Sequence, residues 1–135
     1  MDAFDADALI YAAVPGHPLG LRVAALFQSS GPGAMVGTGS VLLLPEVLGK
    51  PLRDGATDEI RILASLLARL DLRPVDRATA ELATALSSRY RLKAMDATHL
   101  ATAVGMGADR FITNNKRDFG AHIEEIDITF PDALR

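Results

Sequence analysis

Four acids stand where an apolar residue would be expected. Glu46 is the only charge between Val41 and Gly49, in the run Val-Leu-Leu-Leu-Pro-Glu-Val-Leu-Gly. A helix buried on most sides would hold that carboxylate in a poor solvent, where it loses several kcal/mol or becomes neutral. Asp96 lies one helical turn before Leu100 and two before Ala103, so it begins an apolar stripe instead of opposing one. The same position, in a first turn, also suits the helix dipole. Asp5 ends a short apolar opening strand, and Asp118 follows a strand around Phe111-Ile112. Asp7, two residues after Asp5, reads as the helix cap, which leaves Asp5 projecting from the strand's carboxyl end.

Each of the four acids sits just after an expected strand or on the first turns of a helix that follows one. That placement brings them to one edge of a sheet. Carboxylates gathered in one place repel strongly unless a cation neutralises them. With no cysteine and no convincing His pair, only oxygen donors are on offer, so the cation should be hard, Mg²⁺ or Mn²⁺. Such an ion activates water and stabilises the oxygens of an in-line phosphoryl displacement.

The elements that must position these acids alternate along the chain. Residues 2–4 read as a short first strand and Asp7 to about Ala13 as an apolar helix that Pro15-Gly16 stops. His17 to Ser30 has an apolar face of Leu19, Val23, Leu26 and Phe27. A strand is expected over 34–37, then a helix capped by Ser40 and running to about Lys50. Asp54 to Leu70 is amphipathic through Ile60, Leu63, Leu66, Leu67 and Leu70. A strand over 72–75, a helix from Asp76 to Leu86 and another over 95–106 follow. Strands at Phe111-Ile112 and within 123–128 complete the pattern. Such alternation predicts an α/β fold, a mostly parallel sheet with helices on both faces, as a single domain over 1–135. Ligands of such sheets sit beyond the carboxyl ends of the strands, near a topological switch point.

Composition sets the outer bounds. The 135 residues suit one core, and 5% aromatics with no Trp leave few rings on which bases could stack. The opening residues lack the basic start and apolar run of a signal peptide, and no stretch approaches the roughly 18 apolar residues of a membrane span. The expectation is a soluble, cytoplasmic protein with no membrane partner. A net charge of -3 disfavours strong nonspecific nucleic-acid binding. It does not exclude a nuclease, since acids meant for a cation lower the total. Arg53, Arg61, Arg69, Arg89, Arg91 and Lys93 are the candidate phosphate contacts.

At this level of detail the chain resembles the PIN-domain family, and within it the VapC-type toxins of toxin–antitoxin systems. Asp5-Ala6-Asp7-Ala8-Leu9-Ile10-Tyr11-Ala12 is similar to the first motif of the family and Ser40 through Leu48, with Glu46, to the second. Met95-Asp96-Ala97-Thr98-His99-Leu100-Ala101-Thr102-Ala103 closely matches the third, and Phe111-Ile112-Thr113-Asn114-Asn115 through Asp118-Phe119 resembles the fourth. Many relatives carry an Asp directly after the Thr-Asn pair, where this chain has Asn115. Others place the acid before Phe, which assigns the role to Asp118, with Asn115 as a polar helper. The resemblance implies a three-layer α/β/α sandwich with a parallel sheet of four or five strands. It also implies RNA cleavage dependent on Mg²⁺ or Mn²⁺, a homodimer, and inhibition by a cognate antitoxin. In that scheme Asp5, Glu46, Asp96 and Asp118 are the catalytic metal ligands, directly or through water, and Thr113 hydrogen-bonds within the site. A metal-activated water, not a side chain, is the nucleophile.

Smaller expectations concern single residues. Asp7 is a candidate water-mediated ligand, Ser40 a cap and second a site hydroxyl, and Tyr11 a packing or antitoxin contact. His99 is expected to play a structural part in its helix. Two other functions fit some of the residues. A haloacid-dehalogenase-like phosphatase shares the Asp5-Ala6-Asp7 spacing, but the helix starts at once after Asp7, where that fold needs a loop and flap. A PIN-like fold that serves only as a binding module would not need all four acids.

Overall fold

Alternation along the shortest strands assigns the two faces of the sheet, because successive side chains point to opposite sides. In the computed structural model, which describes residues 1–134, strand β1 spans Asp2–Phe4. Its Ala3 packs with one apolar cluster and its Phe4 with the other. Strand β4 (Arg110–Ile112) divides in the same way, Phe111 to one side and Ile112 to the other. Helices α1 (Ala6–Ala12), α2 (Pro18–Ser29), α3 (Leu43–Asp54) and α4 (Thr57–Leu67) cover the Phe4 face through Leu9, Val23, Phe27, Leu43, Val47 and Leu63. Helices α5 (Arg77–Tyr90) and α6 (Ala94–Gly105) cover the Ala3 face through Ala83, Leu86, Ala97, Leu100 and Ala101. The result is an α/β/α sandwich, and none of these helices is long and apolar enough to cross a membrane.

The remaining strands are β2 (Gly37–Ser40), β3 (Leu70–Arg73) and β5 (Asp127–Thr129), and all pairings in the order β3-β2-β1-β4-β5 are parallel. The chain builds outward from β1 through β2 to β3, then crosses to the other side of β1 to lay down β4 and β5. The order reverses between β1 and β4, and a crevice opens at their carboxyl ends. Asp5 leaves the end of β1 and Thr113 the end of β4, joined by the Asp5 amide donating to the Ile112 carbonyl at 2.9 Å.

Several boundaries differ from the sequence expectation. The second strand lies at Gly37-Thr38-Gly39-Ser40, not 34–37, and all four residues are buried. Small side chains are needed there: a Cβ on Gly37 would stand 2.2 Å from the Asp2 carbonyl oxygen. Thr38 donates its hydroxyl to the Asp71 carbonyl at 2.8 Å, a further tie to β3. The third strand starts two residues earlier than expected, at Leu70. Helix α3 runs on through Pro51 to Asp54, and Gly55, with φ of 65°, ends it in the left-handed conformation that glycine adopts freely.

One glycine fixes how α2 crosses α1. A Cβ on Gly20 would lie 1.9 Å from the Tyr11 carbonyl oxygen, closer than any side chain can come to a backbone atom. Gly20→Ala is therefore expected to lower stability by about 1–3 kcal/mol, since the two helices must separate. Thermal unfolding checks this, and a melting temperature equal to that of the wild type would show that the helices part without cost.

Candidate metal and nuclease site

The crevice between β1 and β4 collects the acids from four separate stretches of chain. Asp5 occupies the turn from β1 into α1 and is 4% exposed. Its Oδ1 accepts from the Ala6 amide at 2.9 Å and its Oδ2 from the Thr113 hydroxyl at 2.8 Å. Asp5, not Asp7, is thus the cap of α1, and the sequence expectation is corrected on this point. Asp7 lies in the first turn, and its Oδ1 accepts from the Asn114 amide at 3.0 Å. The shorter excursion from the strand end puts Asp5 in reach of the first amide, whereas Asp7 reaches across to the loop after β4.

Glu46 comes from the first turn of α3, and Asp96 and His99 from the first turns of α6. The Glu46 side chain is 31% exposed, and its Oε2 lies 2.5 Å from Nε2 of His99, whose side chain is fully buried. The other ring nitrogen, Nδ1, is buried without a hydrogen-bond partner. His99 therefore faces the acids. The sequence treated it as a helix-packing residue; its spacing of three from Asp96 was the signal, since residues i and i+3 share a helix face. Ser40 does not cap α3: it ends β2, buried, and its hydroxyl accepts from the Leu42 amide at 3.1 Å.

The loop after β4 supplies the last acid. Thr113 is fully buried, and its hydroxyl, besides donating to Asp5, accepts from the Asn115 amide at 3.1 Å. Asn115 donates through Nδ2 to Oδ2 of Asp118 at 2.9 Å and accepts from the Asp118 amide at 3.2 Å. The Asn thus holds the Asp in a closed local turn at the rim of the crevice.

The electrostatics show how near these groups are. Burial first, and the neighbouring Asp96 charge in addition, hold Asp5 above the usual carboxylate range against the opposing pull of His99, Thr113 and the Ala6 amide. Burial and then the Asp5 charge push Asp7 up to about 6. Asp96 is raised by burial, then by the charges of Asp118 and Glu46. For His99, burial favours the neutral ring, but the hydrogen bond it donates to Glu46 and the charges of Asp5, Glu46 and Asp96 outweigh it and raise the pKa. Asp5, Glu46 and Asp96 thus lie near one histidine, with Asp7 beside Asp5 and Glu46, and Asp118 beside Asp96.

Among the described residues, no three His, Asp or Glu side chains are arranged as a ready-made metal cage. Four of the five acids are instead engaged by a protein donor: Thr113 on Asp5, the Asn114 amide on Asp7, His99 on Glu46 and Asn115 on Asp118. The donor set still suits a hard divalent cation, because it is all oxygen apart from the histidine and several members resist ionising beside one another. The edge is open. A cleft of about 300 Å³ between α5 and α6, lined by Arg73, Asp76, Thr79, Leu82, Thr102 and Met106 among others, includes none of these acids.

Comparison with known proteins bears on the fold and the family. No curated protein matches the chain. A solved structure, a toxin-antitoxin complex from Klebsiella pneumoniae, is similar in fold: the TM-score is 0.74 at 24% identity, covering 97% of this chain and 98% of that one. The family profile of the PIN domain matches residues 3–123, a span that takes in β1 to β4 and every acid of the crevice. PIN domains are generally nucleases that use divalent metals. By that match the chain belongs to the PIN-domain family.

Proposed function

We propose that the protein is an endoribonuclease dependent on Mg²⁺ or Mn²⁺, and the toxin of a toxin–antitoxin pair. The observation that carries the reading is the gathering of five carboxylates at the carboxyl ends of β1 and β4, where burial and mutual repulsion raise three of them. Asp5, Glu46, Asp96 and Asp118 would hold the cation, with Asp7 placed to contribute through water. When bound, that cation supplies an activated water and neutralises charge on the phosphodiester.

The chain's own residues prepare the site. Thr113 fixes one Asp5 oxygen and the Ala6 amide the other, so the carboxylate keeps a single orientation. Asn115 keeps Asp118 turned inward, and the Asp7–Asn114 contact ties its loop to α1. At the rim, exposed Lys93 reaches Asp96 with its charge, and Arg117 lies 3.8 Å from Asp118. These two cations are placed to meet phosphates next to the scissile one. Other basic candidates serve elsewhere: Arg69 donates to the carbonyls of Phe27, Gly31 and Ala34, Arg61 pairs with Asp58, and Arg89 pairs with Glu124 and Glu125.

An antitoxin and a second copy of the chain are the proposed protein partners. The name of the Klebsiella complex supports the first. Exposed apolar side chains such as Leu21, Met35 and Leu52 offer surface to either. The cytoplasm, where RNA is met in a reducing medium, suits a chain with no cysteine.

Mixed cellular RNA incubated with the purified protein, with and without Mn²⁺ or Mg²⁺, tests the reading beside an Asp96→Asn variant. Cleavage is expected only with both metal and Asp96, and the variant should be slower by two orders of magnitude or more, about 3 kcal/mol of lost transition-state stabilisation. Equal cutting by the variant, or cutting in excess chelator, would remove the carboxylate cluster from the chemistry. A folded wild type that takes up metal and cuts nothing would favour a binding module instead.

A further inference from the structure

We propose that His99 is a positioning residue that holds Glu46 over the crevice and so sets the affinity of the site for its divalent cation. The inference deepens the nuclease reading and rests on it. Glu46 differs from the other acids in what restrains it. Asp5 is short, deeply buried and fixed through both oxygens, and Asp118 is closed in a turn with Asn115. Glu46 has a longer, more rotatable side chain, is 31% exposed at the start of α3, and has one side-chain partner, the His99 ring at 2.5 Å. A glutamate with that freedom and exposure is drawn towards bulk water and away from the like charges of Asp7 and Asp96, both of which its own charge raises. Something must hold it inward. The one ring that does so is rigid, fully buried and carried by α6, the helix that also presents Asp96.

The ring's own placement points to this task. An imidazole buried in a helix-packing role would satisfy both nitrogens or show neither to a carboxylate. Here Nδ1 is buried without a hydrogen-bond partner, while Nε2 meets Glu46. A leucine would fill the same space without leaving a buried nitrogen unpaired. The arrangement matches the way second partners orient metal ligands, where their removal typically lowers metal affinity by about 10–100-fold.

The test is a calorimetric titration with Mn²⁺ alone on five proteins, the wild type and four variants, with thermal melts confirming the fold of each. His99→Asn keeps a polar side chain but is too short to reach Glu46, and His99→Gln restores a donor near the Nε2 position. The expected result is a loss of at least tenfold in Mn²⁺ affinity for His99→Asn and less than threefold for His99→Gln. Glu46→Gln should lose affinity too, and adding His99→Asn to it should cost nothing more, because His99 acts through Glu46. Wild-type affinity in folded His99→Asn, or a further tenfold loss when it is added to Glu46→Gln, would overturn the assignment. A wild type that binds no Mn²⁺ would overturn the nuclease reading together with it, whereas unchanged binding in His99→Asn would sink this inference alone.

Discussion

Asp5→Asn is expected to lower metal-dependent RNA cleavage by about three orders of magnitude while leaving the protein folded. The loss follows from removing one anionic oxygen donor from a cation worth several kcal/mol to the transition state, at about 1.4 kcal/mol for each factor of ten. The fold survives because Asn is as good a helix cap as Asp: its carbonyl can still accept from the Ala6 amide, and the Thr113 hydroxyl can turn to accept from the new amide. A neutral side chain at this buried point also avoids the cost of burying a charge beside Asp96. Without metal at neutral pH, the variant should melt at or above the wild-type temperature. Initial cleavage rates in Mn²⁺ together with metal-free melts decide the matter. If the variant cuts within tenfold of the wild type, Asp5 is a cap and nothing more.

Acidification should stabilise the metal-free protein, the reverse of the usual trend. Asp5, Asp7 and Asp96 all have folded pKa values raised above their unfolded ones. A carboxyl group raised in this way adds stability that is complete below its unfolded pKa, near 4, and fades as pH climbs through its folded pKa. For Asp7 that folded value is about 6, so its contribution is lost between roughly pH 4 and 7. His99, also raised, acts in the same direction as the pH rises past its folded value. From Asp7 alone the metal-free protein is thus expected to gain on the order of 1 kcal/mol between pH 7.5 and 5, or roughly 3–6 °C in melting temperature, with Asp5, Asp96 and His99 acting in the same direction. The lowered acids Asp76, Asp109 and Glu125 are exposed and oppose this only at more acid pH. Saturating Mg²⁺ should supply a similar gain at pH 7.5, by binding the folded state alone. Asp7→Asn should flatten the pH profile. A metal-free protein that loses stability steadily from pH 7.5 to 5 would contradict the idea that these acids are held together against their repulsion.

Apolar periodicity carried most of the fold. Repeats of Leu, Ile, Val and Phe mark α2 and α4 directly, and the strand-helix alternation leads to a parallel sheet covered on both faces. It failed at β2, because Gly37-Thr38-Gly39-Ser40 has the composition of a loop. What makes it a strand is its place between β1 and β3, where Asp2 passes too close to Gly37 for any larger residue. No local propensity encodes that contact. The acids drew attention because each interrupts an apolar pattern, but their spacing says nothing of who donates to whom. Asp5 and Asp7 are interchangeable as caps by type; the backbone path out of β1 decides between them. His99 was hidden for a related reason. A histidine within an apolar stripe looks like packing until a residue 53 positions earlier is brought against it.

The order β3-β2-β1-β4-β5 also governs when the acid cluster can form as the chain is synthesised. β1 is made first, yet one of its two edges waits for β4, with Asp2 beside Arg110 and Phe4 beside Ile112. A nascent chain that has emerged only as far as Gly105 holds Asp5, Glu46 and Asp96 but neither Thr113 nor Asp118, and its central strand is open on one side. The crevice comes into being only when the last quarter of the chain inserts beside the first few residues. The acid cluster of the proposed site is therefore incomplete until β4 has been laid beside β1.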